Sequence, residues 1–463
     1  MSPNDSLPAP YFFCVLAVMV LLLQGWQARM QCFGIPMMVV ALTIGIWYLI
    51  DPIYNGYSQY IQEIGEPILN VAWWEVLLFL FTFGLAVPVV NKWMNGEADQ
   101  DKSVLFELID DHKVDTPFFQ DQVEKLGVLI FVSWAGLMLL ALWRTDFDFT
   151  GIFFPYLSDK NDPWSRDRIG SGLDFMISFA SYIQIMLTAL LGVICAISFR
   201  MRPFLLSGVS YLLAVPFYLF DRTRNTMLAV LLPGFFWLVL VRIKGGFLIR
   251  LVVILVGFFM IEGWLKFVIA TRDTESVAMA FQEGGLQRSD LTNKKHLGLN
   301  MFEELGYINL LIKNGTYRPN WGARYFAELV NPIPRSLWSG KPLIGIDYAV
   351  ARGMAYGNQN AASGGVAASI STGMIGQGVV NFGGFFGPIA AAVIMALWSA
   401  ILARQDRLGN NISHLLLYSI GLVLTFNMGR DITLLVIYPF VFAWLLIKVI
   451  NRQTANNLEF YEA

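Results

Sequence analysis

The sequence predicts an all-α protein that crosses a membrane many times. Hydrophobic residues make up 56% of the 463 residues and charged residues only 14%, whereas soluble domains carry about 25% charged residues. The apolar residues also fall into blocks long enough for a membrane-spanning helix, which needs about 20 residues. A backbone inside lipid must satisfy its own hydrogen bonds, so each block is predicted to be a helix.

About eleven apolar blocks divide the chain. They cover residues 8–23, 33–50, 68–90, 126–143, 173–199, 203–220, 226–241, 247–269, 385–403, 412–426 and 432–447. We therefore expect an N-terminal bundle of about eight transmembrane helices (1–269), one large loop (270–384) and C-terminal transmembrane helices (385–463). The loop is too long for a plain connector, and long loops in compact proteins are usually functional. Its Gly- and Ser-rich end, residues 366–384, favours a re-entrant or interfacial position.

The basic residues predict the orientation. Loops on one side of the predicted membrane hold about twice as many Lys and Arg as the short loops on the other side. Because cytoplasmic loops carry this excess, the N-terminus is predicted outside and the C-terminus in the cytoplasm. The charged segment 91–125 is then cytoplasmic, and the large loop lies on the outer face.

The sequence offers no cysteine or histidine pattern that binds a metal. Its three cysteines form no CxxC pair, and its three histidines form no HExxH motif. We expect no metal, no cofactor and no nucleic-acid partner.

Two short outer turns carry arginine between apolar blocks. Residues 220–225 read FDRTRN and contain Arg222 and Arg224, while residues 427–431 read NMGRD and contain Arg430. Arginine binds phosphate through two parallel hydrogen bonds and keeps its charge. Arginines at a membrane boundary therefore suit a lipid-linked phosphate. The alternative is that these side chains reach from an apolar surface to the headgroups.

The large loop supplies a third cationic segment. Residues 331–342 read NPIPRSLWSGKP, so Arg335 and Lys341 lie between prolines, close to Trp338. Tryptophan combines an apolar ring with a polar N–H, which suits a membrane interface or the face of a sugar. The alternative is an ordinary interfacial loop.

The residue for proton transfer is less clear from the sequence. His296 is the one histidine that the predicted topology places outside, and its usual pKa suits proton transfer. Glu304, Glu303 and Asp347 are outer carboxylates that can also act as a base. Glu75 lies inside the third apolar block, where an ionisable residue suggests a function.

Four motifs together resemble the O-antigen polymerase (Wzy-type) family of oligosaccharide repeat-unit polymerases. They are DRTRN at 221–225, NPIPRSLWSGKP at 331–342, IGQGVVNFGGFFG at 375–387 and NMGRD at 427–431. Their order and spacing match the family from Asp221 to the C-terminus, whereas the first five blocks match only in hydropathy. The chain has Gln377 where the family often has Glu, and Asp221 where the first turn often begins with Gly.

This resemblance implies a GT-C-like glycosyltransferase of a bacterial inner membrane. The enzyme transfers a growing undecaprenyl-pyrophosphate-linked glycan onto a new lipid-linked repeat unit at the periplasmic face. Its expected partners are these lipid-linked oligosaccharides, membrane lipid and a co-polymerase that regulates chain length. By motif position, Arg224, Arg430 and Arg335 become the catalytic candidates. The substrate-binding candidates are Arg222, Lys341, Trp338 and Asn381.

Two other functions compete with this prediction. An O-antigen ligase moves the same donor onto lipid A-core and relies on a histidine of its large outer loop, for which His296 is the candidate. A transporter of lipid-linked glycans would instead bury polar groups near the membrane midplane. The polymerase is favoured because the charged residues gather at the predicted outer boundary.

Overall fold

The structure is a computed structural model. It describes residues 7–96, 103–105, 113–155, 162–164, 174–220, 224–243, 246–270, 300–330, 333, 337–342, 346–353, 370–409, 411–430, 437, 439–445 and 447–448. These residues form helices and short connections, and no β-strand occurs among them. The predicted all-α class is confirmed.

Sixteen α-helices of the described residues are numbered here in chain order. They are α1 (Ala9–Gln27), α2 (Gly34–Ile44), α3 (Asp51–Asn55), α4 (Tyr57–Ile64), α5 (Glu66–Asn95), α6 (Pro117–Arg144), α7 (Phe149–Phe153), α8 (Asp174–Ile197), α9 (Met201–Leu219), α10 (Arg224–Trp237), α11 (Phe247–Ala270), α12 (Met301–Lys313), α13 (Ala323–Leu329), α14 (Ile346–Ala351), α15 (Gly373–Arg407) and α16 (Ile412–Met428). π-helical turns extend α2 through Gly45–Leu49 and α10 through Leu238–Arg242.

Within the described residues, seven helices are long and apolar enough to cross a membrane. They are Ala9–Gln27, Gly34–Asn55, Glu66–Asn95, Pro117–Arg144, Ala180–Ile197, Met201–Leu219 and Gly373–Arg407. Shorter apolar helices cover Thr226–Arg242, Leu248–Ile261 and Ile412–Met428. The chain is therefore a membrane protein with several apolar helices, as the sequence predicts. In the last block, 432–447, residues 432–436, 438 and 446 lie outside the described residues.

The chain separates into two compact units. Unit 1 comprises Met1–Ser103, His296–Arg407 and Leu424–Ile437, and unit 2 comprises Val104–Lys295, Leu408–Val423 and Tyr438–Ala463. Unit 1 therefore joins the first membrane helices to the described parts of the large loop. In its core, the ring of Trp73 in α5 stacks on Phe302 in α12 at 3.8 Å between centroids.

Helix α15 reverses direction within unit 1. Gly383 has a φ of 78°, which divides the helix into a first limb (373–382) and a second limb (384–407). A Cβ atom on Gly378 would overlap the carbonyl of Gly387, although nine residues of one straight helix span about 13 Å. The two limbs therefore fold back against each other, and glycine at both positions permits the close approach.

Unit 2 is built from α6, α8, α9, α10, α11 and part of α16. Phe217, Tyr218 and Val230 form its buried apolar cluster with Ile185. The Gln120 side chain in α6 donates to the carbonyl oxygens of Val114 and Ile197 and accepts from the Phe199 N–H. Such buried polar anchors fix how neighbouring apolar helices pack.

Candidate functional site

Arg430 lies at the start of the first limb of α15. Its carbonyl oxygen accepts from the Gly373 N–H at 2.7 Å, and the carbonyl of Gly429 accepts from Met374 at 3.3 Å. The guanidinium Nε of Arg430 donates to Ser371 Oγ at 2.9 Å. The arginine turn and the helix start, far apart in sequence, therefore form one structure in which Arg430 is partly exposed.

The middle of the limb carries a buried charged group. Gln377 Nε2 lies 2.6 Å from both carboxylate oxygens of Glu328 in α13. Arg324, one turn before Glu328, places its Nε 3.6 Å from the same carboxylate. The Arg324 and Glu328 side chains are only 4% and 5% exposed. A buried ion pair is stable only with close geometry and added hydrogen bonds, and Gln377 supplies the latter.

The end of the limb holds α13 in place. Asn381 Oδ1 accepts from the Tyr325 N–H at 3.2 Å, while its Nδ2 donates to the Gln377 carbonyl at 2.8 Å. The Val380 carbonyl accepts from the Asn320 N–H at 3.1 Å. Because Gly383 breaks the helix, this carbonyl is available to the loop. Asn381, a predicted substrate-binding residue, fastens α13 in the structure.

The described residues of the motif at 331–342 contact α13 through Trp338. The ring of Trp338 meets Phe326 edge to face at 6.3 Å. Lys341 is buried, and its Nζ donates to the Ile333 carbonyl at 2.9 Å. Lys341 therefore anchors its own loop, and Trp338, at 36% exposed, joins that loop to the helix that carries Arg324.

A second charged group lies on α12 and α14. Glu304 receives hydrogen bonds from Arg352 Nη2 at 2.9 Å, Arg352 Nε at 3.3 Å and the Tyr348 hydroxyl at 2.7 Å. The Arg352 guanidinium also stacks on Tyr307, 3.6 Å from the ring centroid. Glu304, a candidate base, is thus an ion-pair partner that holds α14 against α12.

Glu303 precedes this ion pair and lies against Asp51. Burial raises the pKa of its carboxyl to about 8, and the negative charges of Asp51, Glu304 and Glu63 act in the same direction. The charge of Arg352 lowers the pKa but does not cancel burial. Asp51 caps α12, because its Oδ2 accepts from the Phe302 N–H at 2.8 Å. Burial and the neighbouring negative charges therefore favour the protonated form of Glu303.

Asp347 is the exposed carboxylate of this region. Its Oδ2 accepts from the Tyr317 hydroxyl at 2.7 Å. The ring of Tyr317 packs edge to face on Tyr348, the partner of Glu304, at 5.9 Å. A chain of polar and aromatic contacts therefore leads from the Glu304 pair to Asp347.

Several predicted residues cannot be placed in this site. Arg222, Arg335 and His296 lie outside the described residues. Arg224 begins α10 in unit 2, and only its backbone is described. Their catalytic or binding roles stay predictions. Two of the described candidates of unit 1 lie at the ends of the first limb, Arg430 against Gly373 and Asn381 eight residues later, a rise of about 12 Å along the helix.

Sequence reasoning missed Arg324, Glu328 and Arg352. A usable signal existed for two of them, because Arg324 and Glu328 have the i,i+4 spacing of an ion pair on one helix face. Nothing in the sequence marks Arg352, which reaches Glu304 only through the packing of α14 on α12. In the part of the chain that the structure describes, no group of three or more His, Cys, Asp or Glu side chains could hold a metal ion.

Comparison of the chain with protein-family models, with curated proteins and with solved structures yields no match. The resemblance to repeat-unit polymerases therefore remains a prediction carried by the four motifs.

Proposed function

We propose that this protein is a membrane glycosyltransferase that polymerises lipid-linked oligosaccharide repeat units. The observation that supports it best is the meeting of three motifs along one ten-residue limb. Gly429 and Arg430 of NMGRD accept hydrogen bonds from the start of the limb, and residues 375–382 of IGQGVVNFGG form most of it. Trp338 of NPIPRSLWSGKP packs on α13, which the limb holds through Gln377 and Asn381. Motifs separated by 32 to 84 residues would have no reason to assemble if they were ordinary connecting loops.

The chemistry proposed for the site is displacement of a pyrophosphate. A hydroxyl oxygen of the incoming repeat unit bonds to the anomeric carbon of the growing chain. The bond from that carbon to the undecaprenyl pyrophosphate breaks, and the leaving group keeps the electron pair. Arginine stabilises the charge that develops on the pyrophosphate, and Arg430 is our candidate. The hydroxyl proton passes to a carboxylate, for which the exposed Asp347 is better suited than the ion-paired Glu304.

The proposal includes a GT-C-like arrangement of about eleven spans in a bacterial inner membrane. The seven long helices and three shorter apolar helices account for ten of them, and the eleventh falls at 432–447. The N-terminus is proposed to be periplasmic and the C-terminus cytoplasmic. A reporter fused after Asn314 then reports the periplasm, and one fused after Arg404 reports the cytoplasm.

The decisive experiment is polymerisation in nanodiscs. Purified protein is incubated with undecaprenyl-pyrophosphate-linked repeat units from the source strain, and products are separated by length. We expect a ladder of polymers whose formation survives EDTA. Arg430→Ala should reduce the rate more than tenfold, because losing a charged hydrogen bond costs about 1.5–3 kcal/mol. Arg430→Lys should also be impaired, because a point charge replaces a planar fork.

Arg318→Ala is the matched control, since Arg318 is an exposed arginine of unit 1, which also contains Arg430. It should leave the ladder unchanged. Absence of any ladder from the parent protein would exclude polymerisation of those units. A normal ladder from Arg430→Ala would remove Arg430 from the mechanism, and Asp347→Asn tests the proposed proton acceptor in the same way.

A further inference from the structure

Helix α13 has its charged side chains inside and its apolar side chains outside. Arg324 and Glu328 are 5% and 4% exposed, whereas Phe326 and Leu329 are 51% and 73% exposed. A helix on a water-facing surface has the opposite arrangement, with its apolar stripe towards the core. The inverted arrangement indicates that the outer face of α13 does not meet bulk water.

The exposed apolar surface extends beyond the helix on both sides. Its members are large side chains that are at least one-third exposed, namely Trp321, Phe326, Leu329, Ile333, Leu337 and Trp338. Contact between Phe326 and Trp338 joins the helix to the following loop. Soluble proteins rarely display an apolar surface of this extent without a partner.

The backbone at Trp321 supports the same conclusion. Its φ is 52°, in the left-handed region that costs a bulky residue free energy. The ring is nevertheless 76% exposed. An indole exposed to water does not offset the free-energy cost of this backbone conformation. Tryptophan is favoured, in contrast, where the bilayer meets water.

The surface adjoins a helix that is apolar enough to span a membrane. α13 is fastened to the reversal of α15 through Asn381, and Gly322 lies against the ring of Phe382. The second limb begins at the same reversal, and its first large residues, Phe385 and Phe386, are 64% and 59% exposed. The outer face of α13 therefore begins where the lipid-facing surface of the second limb begins.

We propose that α13, together with Trp321, Ile333, Leu337 and Trp338, forms an interfacial element that inserts its outer face into one leaflet of the bilayer. Lipid chains cover the apolar side chains, while Arg324 and Glu328 remain on the inner side against Gln377. The element thus separates lipid from the polar groups of the first limb. This inference depends on the membrane position of α15 and not on the proposed reaction, so the two can fail separately.

Depth-dependent fluorescence quenching tests the proposal in the full-length chain. A polarity-sensitive NBD probe is attached to Leu329→Cys or Leu337→Cys, and the protein is placed in nanodiscs. Brominated lipids quench probes in the acyl region, and aqueous iodide quenches probes in water. Cys14 and Cys32 are buried and Cys195 is half-buried, so the labelled parent chain supplies the background to subtract.

Two further positions calibrate the result. Phe385→Cys reports a lipid-facing site, and Asn314→Cys reports an exposed polar turn. We expect the probes at 329 and 337 to respond like the probe at 385, with lipid quenching several-fold stronger than at 314 and weaker iodide quenching. Both substitutions remove an exposed side chain, and the elution volume in size-exclusion chromatography confirms that each variant is folded.

Either of two other outcomes overturns the proposal. Probes at 329 and 337 that behave like the probe at 314 would place the surface in water. Probes shielded from both quenchers would show that another polypeptide, such as a second copy of the chain, covers the surface instead of lipid.

Discussion

Arg352 of unit 1 and Arg200 of unit 2 bind carboxylates at the same distance in opposite surroundings. The Arg352 side chain is 18% exposed, lies 2.9 Å from a Glu304 that is 5% exposed, and stacks on an aromatic ring. Arg200 also lies 2.9 Å from its partner Glu124, but it is 39% exposed, and its second partner Asp121 is 56% exposed. Distance alone does not separate the two groups.

Burial decides what each group contributes. Exposed pairs gain little, because water and salt screen them and long side chains lose entropy. Breaking a buried pair leaves one charge without compensation in a medium of low polarity. The buried group in unit 1 therefore fixes the positions of α12 and α14, whereas the group in unit 2 can change without consequence for the fold. Four substitutions test this contrast.

The largest expected effect follows removal of Arg352. Arg352→Met keeps the length of the side chain but leaves Glu304 buried without its counter-charge, which should destabilise the fold by about 3–5 kcal/mol. The measurement is the thermal unfolding midpoint in nanodiscs. Adding Glu304→Gln should recover much of the loss. Arg318→Met is the control on an exposed arginine, and equal destabilisation by both single substitutions would contradict burial as the cause.

A smaller effect is expected at Gln377. Gln377→Glu replaces the amide that donates to Glu328 with a second carboxyl, so a hydrogen bond to a buried charge is lost. Such bonds contribute about 1.5–3 kcal/mol. The unfolding midpoint should fall, and limited proteolysis should cut the chain near α13 sooner. Gln62→Glu makes the same change at an exposed site of unit 1. A Gln377→Glu variant as stable as Gln62→Glu would refute the assigned role.

The pH dependence of stability should change at Glu303. Its pKa is about 8 in the folded chain and 4.5 in a model peptide, so between these values the folded state binds more protons than the unfolded state. Stability then falls as pH rises through this window, by at most about 1.4 kcal/mol per unit. Glu303→Gln cannot lose a proton, so its unfolding midpoint should fall less between pH 6 and 8.

The groups that face Glu303 are Asp51, Glu304, Glu63 and Arg352, and all are unchanged in this variant. Glu66→Gln, at an exposed carboxyl of the same unit, controls for general charge effects. If Glu303→Gln shows the parent slope, Glu303 is not the proton-binding group.

The smallest effect is expected at Arg200. Arg200→Met removes two ion-pair contacts from the surface of unit 2, and the unfolding midpoint should stay within the error of the parent value, because exposed pairs of this kind add little. High salt should make the two proteins still harder to distinguish. A loss comparable to that of Arg352→Met would show that the group stabilises packing beyond its ion pairs.

The fold was more predictable than the site. The apolar blocks at 68–90, 126–143 and 203–220 coincide with α5, α6 and α9. The motif at 375–387 forms most of the first limb and the reversal of α15. Its residue Asn381 holds a loop in place, which the residue type alone does not reveal. Lys341 also holds its loop in place, because its ammonium group donates a hydrogen bond to the Ile333 carbonyl. Motif residues can serve either a ligand or the scaffold, and only neighbours distant in sequence distinguish the two.

Length and hydropathy alone predict which segments are helical and apolar, because a backbone in lipid must satisfy its own hydrogen bonds. Tertiary structure decided that α15 reverses at Gly383 and that α13 turns Arg324 and Glu328 inward. Residue spacing defines the two faces of a helix but not which face lies inside. In water the hydrophobic effect decides which face packs inside. Beside lipid both faces can be accommodated, so packing against residues distant in sequence decides it.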